Sequence, residues 1–496
     1  MNRLLRDRVR LTDRPPCLVG LNATLSSQYV VVWDNDRMNE WMPDLASRSG
    51  PHYLAIADLI ATDIAKGRLR PGQRLPPQRR LAAVLGIDFT TVARGYVEAK
   101  RRGLLDSRVG QGTFVRVQAA SPTPLRPGTL QVDLSMNLPP EPDDPLLVQR
   151  MREGLTEISG DLVGLLRYRG FGGSPADKDA ASIWLGRRAL VPAQDRVFVT
   201  PGAHPALVAL FSLFASRGDT ALCEAITYPG ARAIARQLGL KLVGVAMDEQ
   251  GIIPEALEKI CRREAPKLLY LNPTLQNPTT VTVPMARRIR IADIARAAQI
   301  PIVEDDAYGF IPPHGTPPFA AMAADITWHV AGLAKCLGAG LRVAYVIAPD
   351  VRAGFPFTAA LRATTVMASP LTVGLATRWI EDGTADQLLR FVRNETRARQ
   401  TLASEVLGGQ KFLSDPLSFH LWLELPDGWT RSAFAAQMRA TGIGVVPSDA
   451  FAADGAPGEA VRIGLGGPVS RAQLRTALDY MAHALANPPD HDNAFF

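Results

Sequence analysis

The sequence predicts two folded parts of different class: a small helix–turn–helix domain with a β-hairpin, followed by a larger α/β domain. Three observations support this prediction. Between residues 52 and 117, helical patterns, turn residues and a concentration of basic side chains occur together. From Val132 onward, short β-rich runs alternate with helical patterns, as expected for a sheet covered by helices. The 496 residues, 47% of them hydrophobic, suffice for about three compact domains.

Composition excludes several classes of protein. The longest apolar stretch, Ala206 to Ala215, is far shorter than the roughly 20 residues of a membrane-spanning helix, so no span is expected. No cysteine pair has the spacing of a zinc site or a disulfide framework, which favours the reducing cytoplasm and no metal. The extension 1–44 is Arg-rich over its first 37 residues, lacks the apolar core of a signal peptide, and contains a more typical start at Met38. We expect a disordered arm or a misassigned initiation site there.

The charge of the chain is unevenly distributed. Residues 61–117 hold 12 Lys and Arg against 4 Asp and Glu, a local charge of +8, whereas the rest of the chain holds 43 against 44. A basic excess confined to one segment is the electrostatic footprint of a nucleic-acid-binding domain. By itself, the excess also fits an Arg-rich solvated surface.

Three helices are predicted in this basic segment, with bounds His52 to Lys66, Gln78 to Leu85 and Phe89 to Arg102. Pro71-Gly72 ends the first helix, and Leu75-Pro76-Pro77 starts the second, since proline is tolerated at an early helical position. Gly86 supplies a turn, and Asp88 caps the third helix. Helix, tight turn and helix form the unit that enters the major groove of DNA.

A β-hairpin is predicted after the third helix. Its strands are Leu104 to Arg108 and Thr113 to Val117. The glycines of Val109-Gly110-Gln111-Gly112 between them permit a turn and a close approach to phosphates.

The segment from about Tyr53 to Val117 resembles the winged-helix domain of GntR-type bacterial regulators. The motifs that carry the resemblance are Arg70-Pro71-Gly72, Leu75-Pro76-x-x-Arg79, Leu81-Ala82, Thr90-Thr91-Val92, Tyr96, Gly103-Leu104 and Gly110-x-Gly112-Thr113-Phe114-Val115. The resemblance implies a winged helix-turn-helix domain over 45–117 whose DNA-facing residues are Arg79, Thr90, Thr91, Gly110, Gln111 and Gly112. Phe89 and Ala93 stand where some relatives have arginines, which implies a different operator or a contact shifted to Arg94.

The larger domain begins after a proline-rich stretch, 118–131, which is predicted to be an extended linker. Its predicted strands include Arg196–Thr200, Lys267–Leu271, Ile300–Glu304 and Thr327–Ala331. In α/β sheets, ligands bind where loops leave the strand ends. The residues that follow these strands are therefore candidate site residues.

Chemically distinctive residues follow all four strands. In chain order they are Gly202-Ala203-His204, Asn277-Pro278-Thr279, Asp305 with Tyr308, and Lys335 with Arg342. The first group opens an apolar helix, Pro205 to Phe214, so its free backbone N–H groups suit a phosphate. Taken singly, several of these residues also have an ordinary structural explanation. His204 and Asp305 could cap helices, Asn277 could belong to a turn, and Arg342 could form a surface ion pair. The same holds for Tyr228, a further candidate, which could be a core tyrosine.

Together with Arg462 in Val461-Arg462-Ile463-Gly464, these groups resemble the fold-type I enzymes that use pyridoxal 5′-phosphate, in particular class I aminotransferases. The resemblance covers about Asp133 to Ala486. It implies a large α/β domain with a smaller C-terminal α+β subdomain within residues 132–490.

The resemblance also implies roles for the site residues. Lys335 forms the Schiff base with the cofactor aldehyde, and Asp305 keeps the pyridine nitrogen protonated. Arg462 clamps a carboxylate with two hydrogen bonds. Asn277 and Tyr308 hydrogen-bond the ring hydroxyl of the cofactor, and Tyr228 stacks on the ring. The phosphate is bound by Arg342 together with Gly202, Ala203 and His204.

The joined architecture is similar to that of MocR-type regulators, a subgroup of the GntR regulators, over nearly the whole chain after Met38. Residues 133–140 also resemble a segment found in some members. The resemblance implies a head-to-tail homodimer in which Tyr168 reaches the phosphate site of the other subunit. It also implies a second domain that senses the cofactor or an amino compound and usually does not turn over substrate.

Three positions depart from the family pattern. Hydroxyls are common where this chain has Ala203, Gly332 and Ala334. A hydrogen bond to a charged group contributes about 1.5–3 kcal/mol, so losing two weakens cofactor binding by roughly two to four decades before compensation. Reversible cofactor binding, which suits a sensor, is therefore expected.

The sequence predicts a dimeric, cytoplasmic transcription factor that binds double-stranded operator DNA and holds pyridoxal 5′-phosphate in an effector domain that senses the cofactor or a small amino compound. One alternative is an active aminotransferase, with Lys335 as the catalytic residue and a vestigial DNA-binding domain. The retained local charge of +8 argues against a vestigial domain. A cofactor-free scaffold is a third interpretation, which failure to bind the cofactor would favour.

Overall fold

The computed structural model describes residues 41–43, 45, 51–70, 72–108, 112–116 and 132–488. By its internal contacts, the chain divides into two compact units, Met1–Pro124 and Leu125–Phe496. The division falls in the predicted linker 118–131. The linker lies outside the described residues, as do most of the predicted extension 1–44 and the predicted hairpin-turn residues Gly110 and Gln111.

The first unit contains three helices and a hairpin: α1 His52–Ala65, α2 Gln78–Leu85, α3 Phe89–Arg101, β1 Leu105–Arg108 and β2 Gly112–Val115. The helix bounds differ from the predicted ones by at most one residue, at the ends of α1 and α3. The two strands pair antiparallel, with Leu105 opposite Val115. The core between the helices includes the fully buried Ile56 and Val92.

The turn between α2 and α3 forms for the predicted reasons. Gly86 ends α2 in the left-handed conformation, with φ +65°, which glycine adopts without steric cost. The Asp88 side chain accepts a hydrogen bond from the backbone N–H of Thr90 at 2.7 Å and thereby caps α3. Pro77 lies immediately before α2, where a missing N–H leaves no helical bond unmade.

The second unit alternates strands and helices. Its strands are β3 Val132–Asp133, β4 Val197–Thr200, β5 Thr220–Glu224, β6 Lys241–Val245, β7 Met247–Asp248, β8 Gly251–Ile252, β9 Leu268–Leu271, β10 Ile302–Asp305, β11 Thr327–Gly332, β12 Ala344–Ile347, β13 Phe412–Leu413, β14 His420–Glu424, β15 Ile443–Gly444, β16 Val446–Pro447 and β17 Ala460–Gly464. Its helices are α4 Pro145–Ile158, α5 Leu162–Leu165, α6 Pro175–Gly186, α7 Ala203–Phe214, α8 Pro229–Leu238, α9 Pro254–Glu264, α10 Met285–Ala297, α11 Phe319–Met322, α12 Val351–Thr365, α13 Pro370–Glu381, α14 Thr384–Leu407, α15 Arg431–Ala440 and α16 Arg471–Ala486.

The large sheet of this unit has the strand order β4-β12-β11-β10-β9-β5-β6. Strand β12 is antiparallel to both neighbours, whereas β11, β10, β9, β5 and β6 pair parallel. Most of these strands are buried along their whole length, in keeping with helices on both faces of the sheet. Parallel strands bring the loops at their carboxyl ends to one edge, and the candidate site residues follow β4, β9, β10 and β11.

A smaller C-terminal part is built on the antiparallel sheet β13-β14-β17-β16. Its core also contains Leu134, which lies near the start of the unit. Strand β3 pairs parallel with β15, and the backbone N–H of Gly464 donates to the Leu134 carbonyl at 2.7 Å. The segment that follows the predicted linker therefore packs on the C-terminal part of the chain.

None of the described helices is long and apolar enough to cross a membrane. Within the same residues, His, Cys, Asp and Glu side chains form no group that would hold a metal ion.

Candidate functional site

A cavity of about 370 Å³ lies at the carboxyl ends of the central strands. Among the residues that line it are nine predicted to bind the cofactor and Arg462, predicted to bind an effector; the nine are Lys335, Asp305, Tyr308, Asn277, Tyr228, Arg342, Gly202, Ala203 and His204. Tyr168, the tenth cofactor prediction, does not line the cavity and is 84% exposed. That position agrees with the predicted contact to another subunit, which stays a prediction.

Lys335 lies in the loop after β11 and points into the cavity. Its ammonium donates a hydrogen bond to the carbonyl of Asn137. Burial and the nearby positive charge of Arg462 lower the pKa of Lys335 to about 8. A lysine with this pKa presents a substantial fraction of neutral, nucleophilic amine near neutral pH.

Asp305, at the end of β10, lines the cavity, and one of its two carboxylate oxygens has a buried hydrogen-bond partner. Tyr270 donates its hydroxyl to Oδ2 at 2.9 Å, and Asn272 donates to the backbone carbonyl at 2.7 Å. The other oxygen, Oδ1, is buried and has no hydrogen-bond partner among the described residues. Burial raises the pKa of Asp305 to about 6. The free oxygen is the expected position for a cationic N–H donor from a ligand.

The N-terminus of α7 and Arg342 form one end of the cavity. Gly202 has φ +98°, and a Cβ added there would lie 3.3 Å from Arg342 Nη2. Glycine at this position therefore lets the Arg342 guanidinium lie close to the backbone at the start of α7. Burial and the charge of Arg342 lower the pKa of His204. A Cβ added at Gly332 would have Ala203 Cβ as its nearest neighbour, at 3.6 Å. Two of the three positions that lack a hydroxyl therefore face each other at this end.

Arg462 on β17 is already hydrogen-bonded on two of its nitrogens. Nη1 donates to Asn277 Oδ1 at 2.9 Å, and Nη2 donates to the Ser135 carbonyl. Nε is buried without a hydrogen-bond partner among the described residues. Burial lowers the pKa of this guanidinium to about 10, which leaves it positively charged near neutral pH. Arg462 thus keeps a positive charge in the wall of the cavity, with its Nε–H still lacking an acceptor among the described residues.

Asn137 is a site residue that had no predicted role. Its amide nitrogen donates to the Tyr308 hydroxyl at 2.9 Å and to His420 Nδ1 at 3.1 Å. Because His420 Nε2 lies 3.2 Å from the Gln276 carbonyl, which can only accept, Nδ1 is the acceptor. Burial lowers the pKa of His420 to about 3, so the ring is neutral. The only sequence signal for Asn137 was the resemblance of residues 133–140 to a segment of some MocR-type regulators.

A buried ion network anchors β10 on the face away from Tyr270. Glu304 accepts from His329 Nδ1 at 2.9 Å and lies 3.4 Å from Arg288 Nη1, while Asp306 pairs with Arg188 at 2.9 Å. Side chains alternate along a strand, so Glu304 and Asp306 point away from Asp305. The network fixes the strand that positions Asp305.

The first unit carries the predicted DNA-facing side chains on α2, α3 and β2. Arg79 and Thr90 are exposed, and Thr91 and Gly112 are half-buried. The Arg94 guanidinium stacks over the Tyr53 ring, 4.3 Å from its centroid, so this predicted contact is partly held by α1.

Arg74 is a basic residue at the hairpin that the sequence analysis missed. A Cβ at Gly112 would lie 2.8 Å from Arg74 Nε, which shows that the arginine lies against β2. Arg74 also forms an isolated bridge with Phe114 of that strand. Its place next to a motif, directly before Leu75-Pro76, was the signal available in the sequence.

Ion pairs within this unit account for part of its basic excess. Among the described residues, four arginines pair with carboxylates: Arg68 with Asp63, Arg101 and Arg102 with Glu98, and Arg116 with Asp106. Arg79, by contrast, lies over the Phe89 ring, 5.8 Å from its centroid. The exposed Arg79 guanidinium therefore lies beside an exposed aromatic ring.

Two family models match the chain. Residues 52–115 match the model of bacterial regulatory proteins of the gntR family. Residues 129–481 match the model of class I and II aminotransferases.

Several proteins are similar to the chain over most of its length. The uncharacterised HTH-type transcriptional regulator YdeF of Bacillus subtilis is 30% identical over 442 residues, covering 88% of this chain and 95% of its own. The HTH-type transcriptional regulator TauR of Rhodobacter capsulatus is 25% identical over 450 residues, covering 80% and 88%. Among solved structures, the α-aminoadipate aminotransferase LysN of Thermus thermophilus shares the fold, with a TM-score of 0.65, 24% identity, and coverage of 72% of this chain and 92% of its own.

Proposed function

Because the chain belongs to the MocR-type regulators, which join a GntR-family winged helix-turn-helix domain to a class I and II aminotransferase domain, we propose that its second domain binds pyridoxal 5′-phosphate and couples this binding to operator affinity. The protein is a DNA-binding transcriptional regulator.

The single observation that carries the proposal is the unpartnered Oδ1 of Asp305 in a cavity that also holds Lys335. A buried carboxylate oxygen without a donor is costly unless a ligand supplies one. Asp305 Oδ1 would accept such a hydrogen bond from the protonated pyridine nitrogen of the cofactor. At the other end, Gly202 has no Cβ to fill the space beside the Arg342 guanidinium. This leaves a positively charged space at the N-terminus of α7, which suits the phosphate.

The residues present therefore fit the cofactor, and each has a task. Lys335 binds the aldehyde, Asp305 holds the ring nitrogen, Arg342 and the α7 N-terminus hold the phosphate, and Tyr228 lies where it can cover the ring. When bound, the cofactor supplies an aldehyde and an electron-withdrawing ring. Asn137 keeps the Tyr308 hydroxyl oriented.

We further propose that the effector is the cofactor itself or an amino compound, and that binding rather than turnover is the function. Arg462 lines the same cavity as Lys335, carries a positive charge, and has an Nε–H without an acceptor among the described residues, which suits a carboxylate. The missing hydroxyls at Ala203, Gly332 and Ala334 favour a cofactor that dissociates.

A homodimer is part of this proposal. Tyr168 and its neighbours form an exposed apolar segment, with Leu162, Val163, Leu166 and Phe171 all at least 40% exposed. Apolar surface of this kind is better buried against a second copy than left in water. Sedimentation of the full chain tests this, and a monomer at all concentrations contradicts it.

The test of the coupled function is selection of bound fragments from the host genome by the full chain, with and without pyridoxal 5′-phosphate. We expect the cofactor to change the affinity for the selected fragments. Lys335→Ala should remove this change, whereas Lys267→Ala, which alters an exposed lysine of the same domain, should keep it. An identical cofactor response in Lys335→Ala contradicts the proposal.

A further inference from the structure

Helix α3 carries an apolar stripe on a side that does not face the core. Phe89, Ala93 and Val97 follow each other at four-residue spacing, so they lie along one side of the helix. Phe89 is 42% exposed and Val97 is 66% exposed. The core-facing side of α3 consists of other residues, namely Val92, Gly95, Tyr96 and Ala99. The stripe is therefore not explained by packing within this domain.

The surroundings of the stripe restrict what covers it. The domain has a local charge of +8, and the Arg79 guanidinium lies over the Phe89 ring. A partner protein that offers only an apolar surface would not account for this positive charge. The occupant that fits both properties is a polyanion with apolar groups accessible between its charges. Double-stranded DNA is such an occupant, because phosphates flank a major groove in which thymine presents a methyl group.

Position within the helix–turn–helix unit selects one residue of the stripe. In this unit the N-terminal residues of the second helix contact base edges in the major groove. Phe89 is the first residue of α3, directly after the Asp88 cap. Val97 lies eight residues further, about 12 Å along the helix axis. Phe89 is thus the apolar side chain that reaches the bases.

We propose that Phe89 recognises the C5-methyl group of a thymine, which makes thymine the preferred base at one position of each operator half-site. The thymine methyl is the apolar group that the base edges offer in the major groove, and contact with phenylalanine is one of its recognised modes. Arg79 restricts the ring from one side and keeps its own charge close to the DNA backbone. This inference rests on DNA binding by the first domain and is independent of the cofactor.

The experiment uses the full chain and a duplex selected by it from a random pool. Each thymine of the selected duplex is replaced in turn by deoxyuridine, which removes only the methyl group. One position should then lose about three- to fivefold in affinity with the wild-type protein, the effect of one buried methyl-sized group. Phe89→Ala should bind the thymine and uracil duplexes equally at that position.

Two variants control the result. Val84→Ala changes a 52% exposed valine of α2 that is outside the stripe, and it should keep the full methyl effect. Phe89→Leu should retain part of the effect, because an apolar side chain remains. Unfolding temperatures of all variants identify any that fail to fold.

The inference is overturned if the selected duplexes share no fixed thymine, or if uracil costs the same affinity in wild type and Phe89→Ala. A wild type that binds the selected duplex with normal affinity but shows no methyl effect at any thymine overturns this inference alone and leaves DNA binding by the first domain intact. A wild-type chain that selects no sequence contradicts both.

Discussion

Arg462 and Asn277 are hydrogen-bonded to each other, with Arg462 Nη1 donating to Asn277 Oδ1 across 2.9 Å. By the family resemblance, Arg462 is assigned to an effector carboxylate and Asn277 to the ring hydroxyl of the cofactor. The contact joins the two halves of the proposed site without an intervening group. A shift of the guanidinium therefore changes the hydrogen bonding of the residue assigned to the cofactor ring.

Arg462→Ala should weaken the response to effectors that carry a carboxylate. In the wild type, we expect amino compounds to change the absorbance of the bound cofactor and the operator affinity over the same concentration range, because coupling between two sites is reciprocal. Little steady turnover should accompany these changes. Titrations followed by absorbance and by DNA-binding anisotropy check this, with the surface variant Arg439→Ala as control. Rapid transamination with operator binding indifferent to amine and cofactor would instead favour the enzyme interpretation.

Lys335→Ala should lose the visible absorbance band that pyridoxal 5′-phosphate develops with the wild-type protein. Lys335 is the lysine that lines the cavity beside Asp305 and Arg342. Lys267→Ala should keep the band. If Lys335→Ala keeps the band at unchanged intensity, and borohydride still fixes the cofactor to the protein, the covalent attachment is to another residue.

Gly332→Ser should tighten cofactor binding. A Cβ at this position meets only ordinary contact, with Ala203 Cβ at 3.6 Å, so the serine fits at the phosphate end. One hydrogen bond to a charged group contributes about 1.5–3 kcal/mol, which corresponds to roughly 10- to 150-fold in affinity. Equilibrium dialysis measures the change, and Gly340→Ser, in open space, is the matched control. Equal affinity in wild type and Gly332→Ser would show that the hydroxyl-free positions do not limit binding.

Arg79→Ala should weaken DNA binding and flatten its salt dependence. Each phosphate contact contributes about 0.9 to the slope of log affinity against log salt, so the slope should fall by about that amount if Arg79 makes one contact. Arg262→Ala makes the same charge change on an exposed residue of the other domain and should leave the slope unchanged. Salt-independent binding by the wild type, or full affinity in a chain lacking residues 1–120, contradicts the assignment of DNA binding to this domain.

Glu224→Gln should reduce the pH dependence of unfolding between about pH 4.5 and 7. Burial raises the pKa of Glu224 to about 7, although Asn272 and Thr227 donate to its two oxygens at 2.7 and 2.9 Å. Because the folded pKa exceeds the unfolded one, this group stabilises the fold below about pH 4.5. Its contribution is lost as the pH rises through 7, by up to about 3 kcal/mol. Denaturant titrations at several pH values measure the free energy of unfolding of both proteins. The difference, wild type minus Glu224→Gln, should fall as the pH rises from about 4.5 to 7, and a pH-independent difference would contradict the prediction.

Local chemistry explains what the sequence analysis predicted correctly. The bounds of α2 follow from Pro77 before it and Gly86 after it, and the start of α3 follows from Asp88. These residues act on their immediate neighbours, so a short stretch of sequence is enough to predict where each helix begins or ends. Lys335, Asp305 and Arg342 lie at the cavity because each follows a strand of the same sheet.

Contacts between distant residues explain what it missed. Asn137 and His420 are 283 residues apart in sequence, and Tyr270 reaches Asp305 from a neighbouring strand. None of these pairs leaves a periodic pattern or a local motif. The stacking of Arg94 on Tyr53 was missed for the same reason, since it depends on how α1 packs against α3.

The pairing of β3 with β15 has a consequence for the order in which the protein is completed on the ribosome. The core of the first unit uses residues between Trp41 and Val115, so that domain can fold as soon as they emerge. Leu134, by contrast, waits for core partners as late as Leu485. A chain terminated early in translation thus retains the DNA-binding domain without the second domain, so the proposed response to cofactor and effector would be absent from such a fragment.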